Sequence, residues 1–94
     1  MNWIVEPIVD GVVKELHILY FNNKKDHRLS VGESNYIEGK YHMYYILNGF
    51  TEIKEGFEAA SLEEAKERAV KRVKNLIHAR IGYWEGVLHQ IETA

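Results

Sequence analysis

Ser61-Leu62-Glu63-Glu64 is a capping box, and it marks where the last third of the chain turns helical. The serine hydroxyl accepts from the amide three residues on, and the glutamate there reaches back, so two orphan donors are satisfied at once. The paired glutamates also suit the positive end of the helix dipole. Behind the cap, Leu62, Ala65, Ala69, Val73, Leu76 and Ile77 recur at three- and four-residue spacing, which predicts one apolar stripe. Ala65 and Ala69 are small enough to let the helix lie close against a sheet. The opposite face carries Glu67, Arg68, Lys71, Lys74, Asn75 and His78.

The pattern runs on through Val70, Ile77, Ile81, Trp84, Leu88 and Ile91. Gly82 and Gly86 each cost a helix about 1 kcal/mol relative to alanine. The sequence therefore leaves open both a single helix to residue 91 and a break at Gly82 followed by a second short helix. A continuous helix over 62–91 would be about 45 Å long, whereas strands of ordinary length cover only about 20 to 25 Å. The excess, with Trp84, Leu88 and Ile91, would need something to bury it. That need predicts a homodimer through those three residues.

Upstream, Asp10-Gly11 and Asn48-Gly49 are dipeptides that tolerate positive φ at both positions, as a tight type I′ hairpin turn requires. They predict strands near 3–8, 12–21, 40–47 and 50–58. Pro7 cannot donate to a ladder, so the first strand belongs at an edge. Residues 22–27 read as a solvated loop; Arg28-Leu29-Ser30-Val31 could form a short strand, and Gly32 to Gly39 reads as irregular chain. The expected architecture is one α+β domain over 1–94. It has an antiparallel sheet of about four strands, built from two hairpins, with one long C-terminal helix on one face.

A regular two-residue turn at Asn48-Gly49 pairs Leu47 with Phe50, Tyr45 with Glu52 and Met43 with Lys54. Alternation then puts Tyr44, Ile46, Ile53 and Phe57, with His42, on one face. Tyr41, Met43, Tyr45, Leu47 and Phe50, with Glu52 and Lys54, fall on the other. One helix covers one face, and the charged pair marks the second as the wetter. Tyr41, Met43, Tyr45 and Phe50 are accordingly the expected protein-docking platform, with Trp84 as a further anchor.

Composition narrows the chemistry. The 94 residues include no cysteine, which removes disulfides, zinc knuckles, iron–sulfur sites and thiol catalysis and leans towards a cytoplasmic setting. The N-terminal residues have neither the basic start nor the apolar run of a signal peptide, and no apolar run approaches the roughly 20 residues that span a bilayer. None of the five histidines has a partner at metal-binding spacing. His42 is a conceivable general base, but no nucleophile or carboxylate is tied to it by spacing. No catalytic residue, metal or cofactor is expected.

Charge is uneven. Residues 1–64 carry a net −5, residues 65–80 a net +5 and residues 81–94 a net −2. A DNA mimic would be far more acidic. The basic segment makes Arg68, Lys71 and Lys74 candidate phosphate contacts, although a sequence pI near 6.2 is low for a nucleic-acid binder.

Gly39-Lys40-Tyr41-His42-Met43-Tyr44-Tyr45, a turn, and Gly56-Phe57-Glu58-Ala59-Ala60-Ser61-Leu62-Glu63-Glu64-Ala65-Lys66-Glu67-Arg68-Ala69 resemble a ββα pattern of small phage-encoded proteins, some of them anti-CRISPR or other anti-defence proteins. The strand–strand–helix order and the Leu-Glu-Glu-Ala step are also similar to HicB-type antitoxins, whose Pro-Asp-Leu-Pro segment is lacking here. The first resemblance implies a phage or mobile-element accessory protein that inhibits a host factor by binding it. The second implies an antitoxin or dimeric regulatory module. Neither supplies a catalytic residue.

Overall fold

The computed structural model describes residues 2–9 and 11–94. Five antiparallel strands lie in sequence order: β1 (Ile4–Pro7), β2 (Glu15–Phe21), β3 (Lys24–Glu33), β4 (Lys40–Leu47) and β5 (Phe50–Glu58). One helix, α1 (Leu62–Glu92), follows and packs on β3 and β4. β1 is an edge strand, as Pro7 demands.

The Asn48-Gly49 turn forms as its residue types require, with φ of 53° and 79°. A third hairpin appears where a loop was expected. Asn22 and Asn23 both take φ of 55°, a left-handed pair that asparagine tolerates and a tight turn needs. Phe21 then pairs with Lys24, and the polar stretch after it joins the longest non-terminal strand. The expected four strands become five. β3 is the middle one, with Leu29 and Val31 essentially inaccessible.

The Asp10-Gly11 reading fares differently. Asp10 lies outside the described residues, and β1 and β2 begin pairing at Pro7 and Glu15, too far apart for a two-residue turn. The connection is tied instead to the end of β3. Lys14 N donates to Glu33 O at 3.0 Å, Asn35 N to Val12 O at 2.8 Å, and Asn35 Nδ2 to Gly11 O at 2.7 Å. Val13 is buried directly over Gly32, where a Cβ would come within 2.8 Å of Glu15 O and of Val13 Cβ.

The Ser61 cap forms as read, with Glu64 N donating to Ser61 Oγ at 3.1 Å, while Glu64 Oε2 accepts at 2.9 Å from Ala60 N, one residue before the amide a capping box would use. The helix then runs 31 residues without a break at Gly82. The alternative of a second short helix is thereby removed, since 3.6-residue geometry continues straight through both glycines. At 1.5 Å per residue α1 is about 46 Å long and sets the long dimension of a 54 × 26 × 21 Å molecule.

The core is one cluster. Ala65, Ala69 and Val73 press on Leu19, Leu29, Val31, Tyr41, Met43, Tyr45 and Ile53. Ala65 and Ala69 are fully buried, which is the close approach their size allows. Substituting Gly32→Ala should lower stability by about 1 to 3 kcal/mol, because backbone on one side and Val13 on the other leave the methyl no room. Gly82→Ala, with nothing within 4 Å, should not destabilise. Urea midpoints of the two variants check the contrast.

Candidate binding surfaces

The face that α1 covers is decided at one residue. β4 and β5 pair Leu47 with Phe50 and Ile46 with Thr51, then Tyr45 with Ile53, so Glu52 is an extra residue in β5. From there the register is shifted by one: Met43 faces Glu55 and Tyr41 faces Phe57. A one-residue slip moves every later side chain to the opposite face. Ile53 and Phe57 thus join Tyr41, Met43 and Tyr45 beneath the helix, and Lys54 goes to the other side.

This corrects the expected docking platform. Tyr41, Met43 and Tyr45 are buried core residues, not an exposed surface. Tyr45 hydroxyl meets His27 Nε2 at 2.9 Å, and Phe21 packs on both rings at 5.0 and 6.3 Å between centroids. Burial pushes the Tyr41 and Tyr45 phenols above their ordinary value, Glu33 adding to the effect at Tyr41 while Arg80 opposes it at Tyr45. Of the five expected anchors only Phe50, 75% exposed at the hairpin tip, and Trp84, 64% exposed on the helix, are open to a partner.

The uncovered face carries a different set. Its rows include Ile4–Ile18–Ser30–Tyr44–Lys54 and Tyr20–Arg28–Ile46. Tyr20, His42, Tyr44 and Ile46 are half-buried there. Lys54 Nζ sits 5.9 Å from the centre of the Tyr44 ring.

Among the described residues no carboxylate or hydroxyl hydrogen-bonds to His42. Desolvation, with Lys40 and Lys54 nearby, holds its pKa below the ordinary 6.5, so the ring is neutral at pH 7. Among the described residues no group of three or more His, Asp or Glu could hold a metal ion, and no helix is long and apolar enough to cross a membrane.

The basic segment is largely consumed within the fold. Arg72 pairs with Glu55 at 2.9 Å and Arg80 with Glu52 at 2.5 Å. Arg68 bonds the Glu58 carbonyl and lies 5.1 Å from the Phe57 ring centre. Lys66 sits 5.2 Å from the Trp3 ring centre and 3.6 Å from Glu63. Of the expected phosphate contacts, all three are exposed and none forms an ion pair among the described residues, but Arg68 is held by the Glu58 carbonyl, which leaves Lys71 and Lys74. Two lysines one turn apart are a small footprint for a nucleic acid.

A row of exposed apolar side chains lies on α1 itself. Ile77, Ile81, Trp84, Leu88 and Ile91 are 40 to 67% exposed. An apolar groove of about 520 Å³ runs between Ile77, Ile81, Trp84 and Leu88 on the helix and Tyr45 and Leu47 on the sheet. A second, of about 460 Å³, continues it towards Leu19 and Phe21. Sequence reading found the stripe but missed the grooves, because it set the helix on the wrong face.

The chain matches no protein-family profile, no curated protein and no solved structure.

Since the folded pKa of His42 lies below its unfolded value, its contribution to stability is full above about pH 6.5 and is lost as pH falls through the folded value. His42→Gln should therefore lose less stability than wild type between pH 7 and pH 5. Urea denaturation at both pH values checks this.

Proposed function

We propose that the protein is a non-enzymatic protein-binding module that docks through the apolar side of its projecting helix. One observation carries this reading: five large apolar side chains, Ile77, Ile81, Trp84, Leu88 and Ile91, stand exposed in a row on one unbroken helix. Contiguous apolar exposure of this kind is uncommon on a monomer's surface and usually marks an interface, and a central tryptophan is a frequent interface hot spot. The uncovered face of the sheet, with Tyr20, Tyr44 and Ile46, provides room for a second contact.

The narrower reading, a cytoplasmic phage or mobile-element accessory protein that inhibits a host defence factor, rests on the resemblance of residues 39–70. It is consistent with a small chain whose functional surface is apolar and aromatic rather than catalytic.

Capture from a bacterial lysate tests the binding reading. Wild type should retain a stoichiometric protein partner, and Trp84→Ala/Leu88→Ala should lose at least nine-tenths of it while keeping its circular dichroism spectrum. Equal recovery by both baits contradicts a helix-borne site.

A further inference from the structure

Five strands spaced about 4.8 Å apart make a sheet about 19 Å wide, and a helix with its side chains is about 10 Å across. α1 lies over β3 and β4 and reaches β5 through Arg72 and Arg80. Among the described residues no second helix covers the β1–β2 half of the same face. Trp3 packs against the core from the β1 end, and beside it lies the groove floored by Leu19, Phe21, His27 and Tyr45 and walled by Val70, Lys74 and Ile77 of α1. It opens into the groove beneath Ile81, Trp84 and Leu88.

The helix wall of these grooves has a definite spacing. Ile77, Ile81, Trp84, Leu88 and Ile91 alternate steps of four and three, the seam of a helix that packs against another helix. Alone, the projecting turns are poor helix. They extend a helix that the sheet-packed turns already nucleate, but Gly82 and Gly86 each cost about 1 kcal/mol relative to alanine. Neither glycine has a neighbour within 4 Å, so close packing is not their compensation.

We propose that the occupant is a second copy of this chain, its projecting helix lying antiparallel in the vacant half of the groove, and reciprocally. This rests on the reading of the helix as a docking element and names its partner. Charge selects the alignment. With Ile77 opposite the partner's Leu88 and Ile81 opposite the partner's Trp84, the outer flank sets Lys71 against the partner's Glu92 and His78 against the partner's Glu85. Both of these outer-flank pairs are then complementary. Sliding one heptad towards the tips brings Glu85 against the partner's Glu85 instead. The direction follows from the inner flank. An antiparallel neighbour turns Val87, Leu88 and Ile91 towards the open sheet, whereas a parallel neighbour related by a twofold axis turns its Lys71 and Lys74 there, onto Leu19 and Phe21.

The absence of native cysteine makes the pairing directly testable. Ile77→Cys and Leu88→Cys chains, mixed and oxidised, should form the mixed disulfide at least tenfold more than either forms with itself. In the proposed alignment the two Ile77 positions lie about 16 Å apart along the helices, too far to bridge. Self-linking of Ile77→Cys at the same yield, or no linking in the mixture, overturns the alignment. Glu92→Lys should weaken the dimer about fivefold, and Lys71→Glu/Glu92→Lys should restore it. Within one chain these residues are about 31 Å apart, so a rescue reports contact between copies, and a double variant as weak as the single contradicts the proposal.

Light scattering should give about twice the chain's 11.0 kDa. A mass of one chain at every concentration, while Trp84→Ala/Leu88→Ala still abolishes capture of another protein, removes the second copy and leaves the docking reading standing. A dimer that captures nothing else supports this inference and removes the inhibitor reading.

Discussion

A single helix set on a five-stranded sheet faces two mismatches, one of width and one of length, and most features of this molecule descend from them. About 10 Å of helix cannot roof about 19 Å of sheet, so α1 centres on β3 and β4 and leaves Leu19 and Phe21 beside a groove. About 46 Å of helix cannot rest wholly on β3 and β4, which are about 33 and 26 Å long, so its apolar side continues past the hairpin tips. Ala65 and Ala69 hold the contact that sets both. They are buried to zero exposure against the middle strands, and bulkier residues would lift the helix off Val31 and Met43.

The bulge at Glu52 sorts the side chains between core and surface. With it, Tyr41, Met43, Tyr45, Ile53 and Phe57 share the helix-facing side, an almost wholly apolar set. It also places Glu52 and Glu55 where Arg80 and Arg72 reach them from the helix. These pairs are exposed enough that each contributes on the order of 0 to 1 kcal/mol. Their consequence is functional, because they draw arginines towards β5 and away from any outward phosphate-binding surface.

Much of the fold was readable in the residues, and the failures have local causes. Asn48-Gly49, the Ser61 cap and the Ala65/Ala69 stripe each carry their geometry in their chemistry, and each formed as read. β3 is legible only as a possible short strand at Arg28–Val31 because Lys24, Lys25 and Asp26 look like loop, while Asn22-Asn23 turns as tightly as Asn-Gly. The site reading failed through the bulge: an extra residue has no side-chain signature of its own. A signal was nonetheless present. The unbulged pairing sets Tyr45 beside Glu52 and Met43 beside Lys54, whereas shifting by one gathers every large apolar residue of β4 and β5 except Tyr44, Ile46 and the tip pair on one side. Apolar clustering, weighed against turn regularity, would have chosen the shifted register.

The projecting turns of α1 are helical where this chain's own atoms give them least support. Amide hydrogen exchange at two protein concentrations measures this most directly. Protection of residues 81–91 should rise with concentration as copies associate, while that of residues 65–73, sealed against the sheet, stays constant. Protection of residues 81–91 that is identical at both concentrations, or absent at the higher one, would contradict a helix end held in place by a partner.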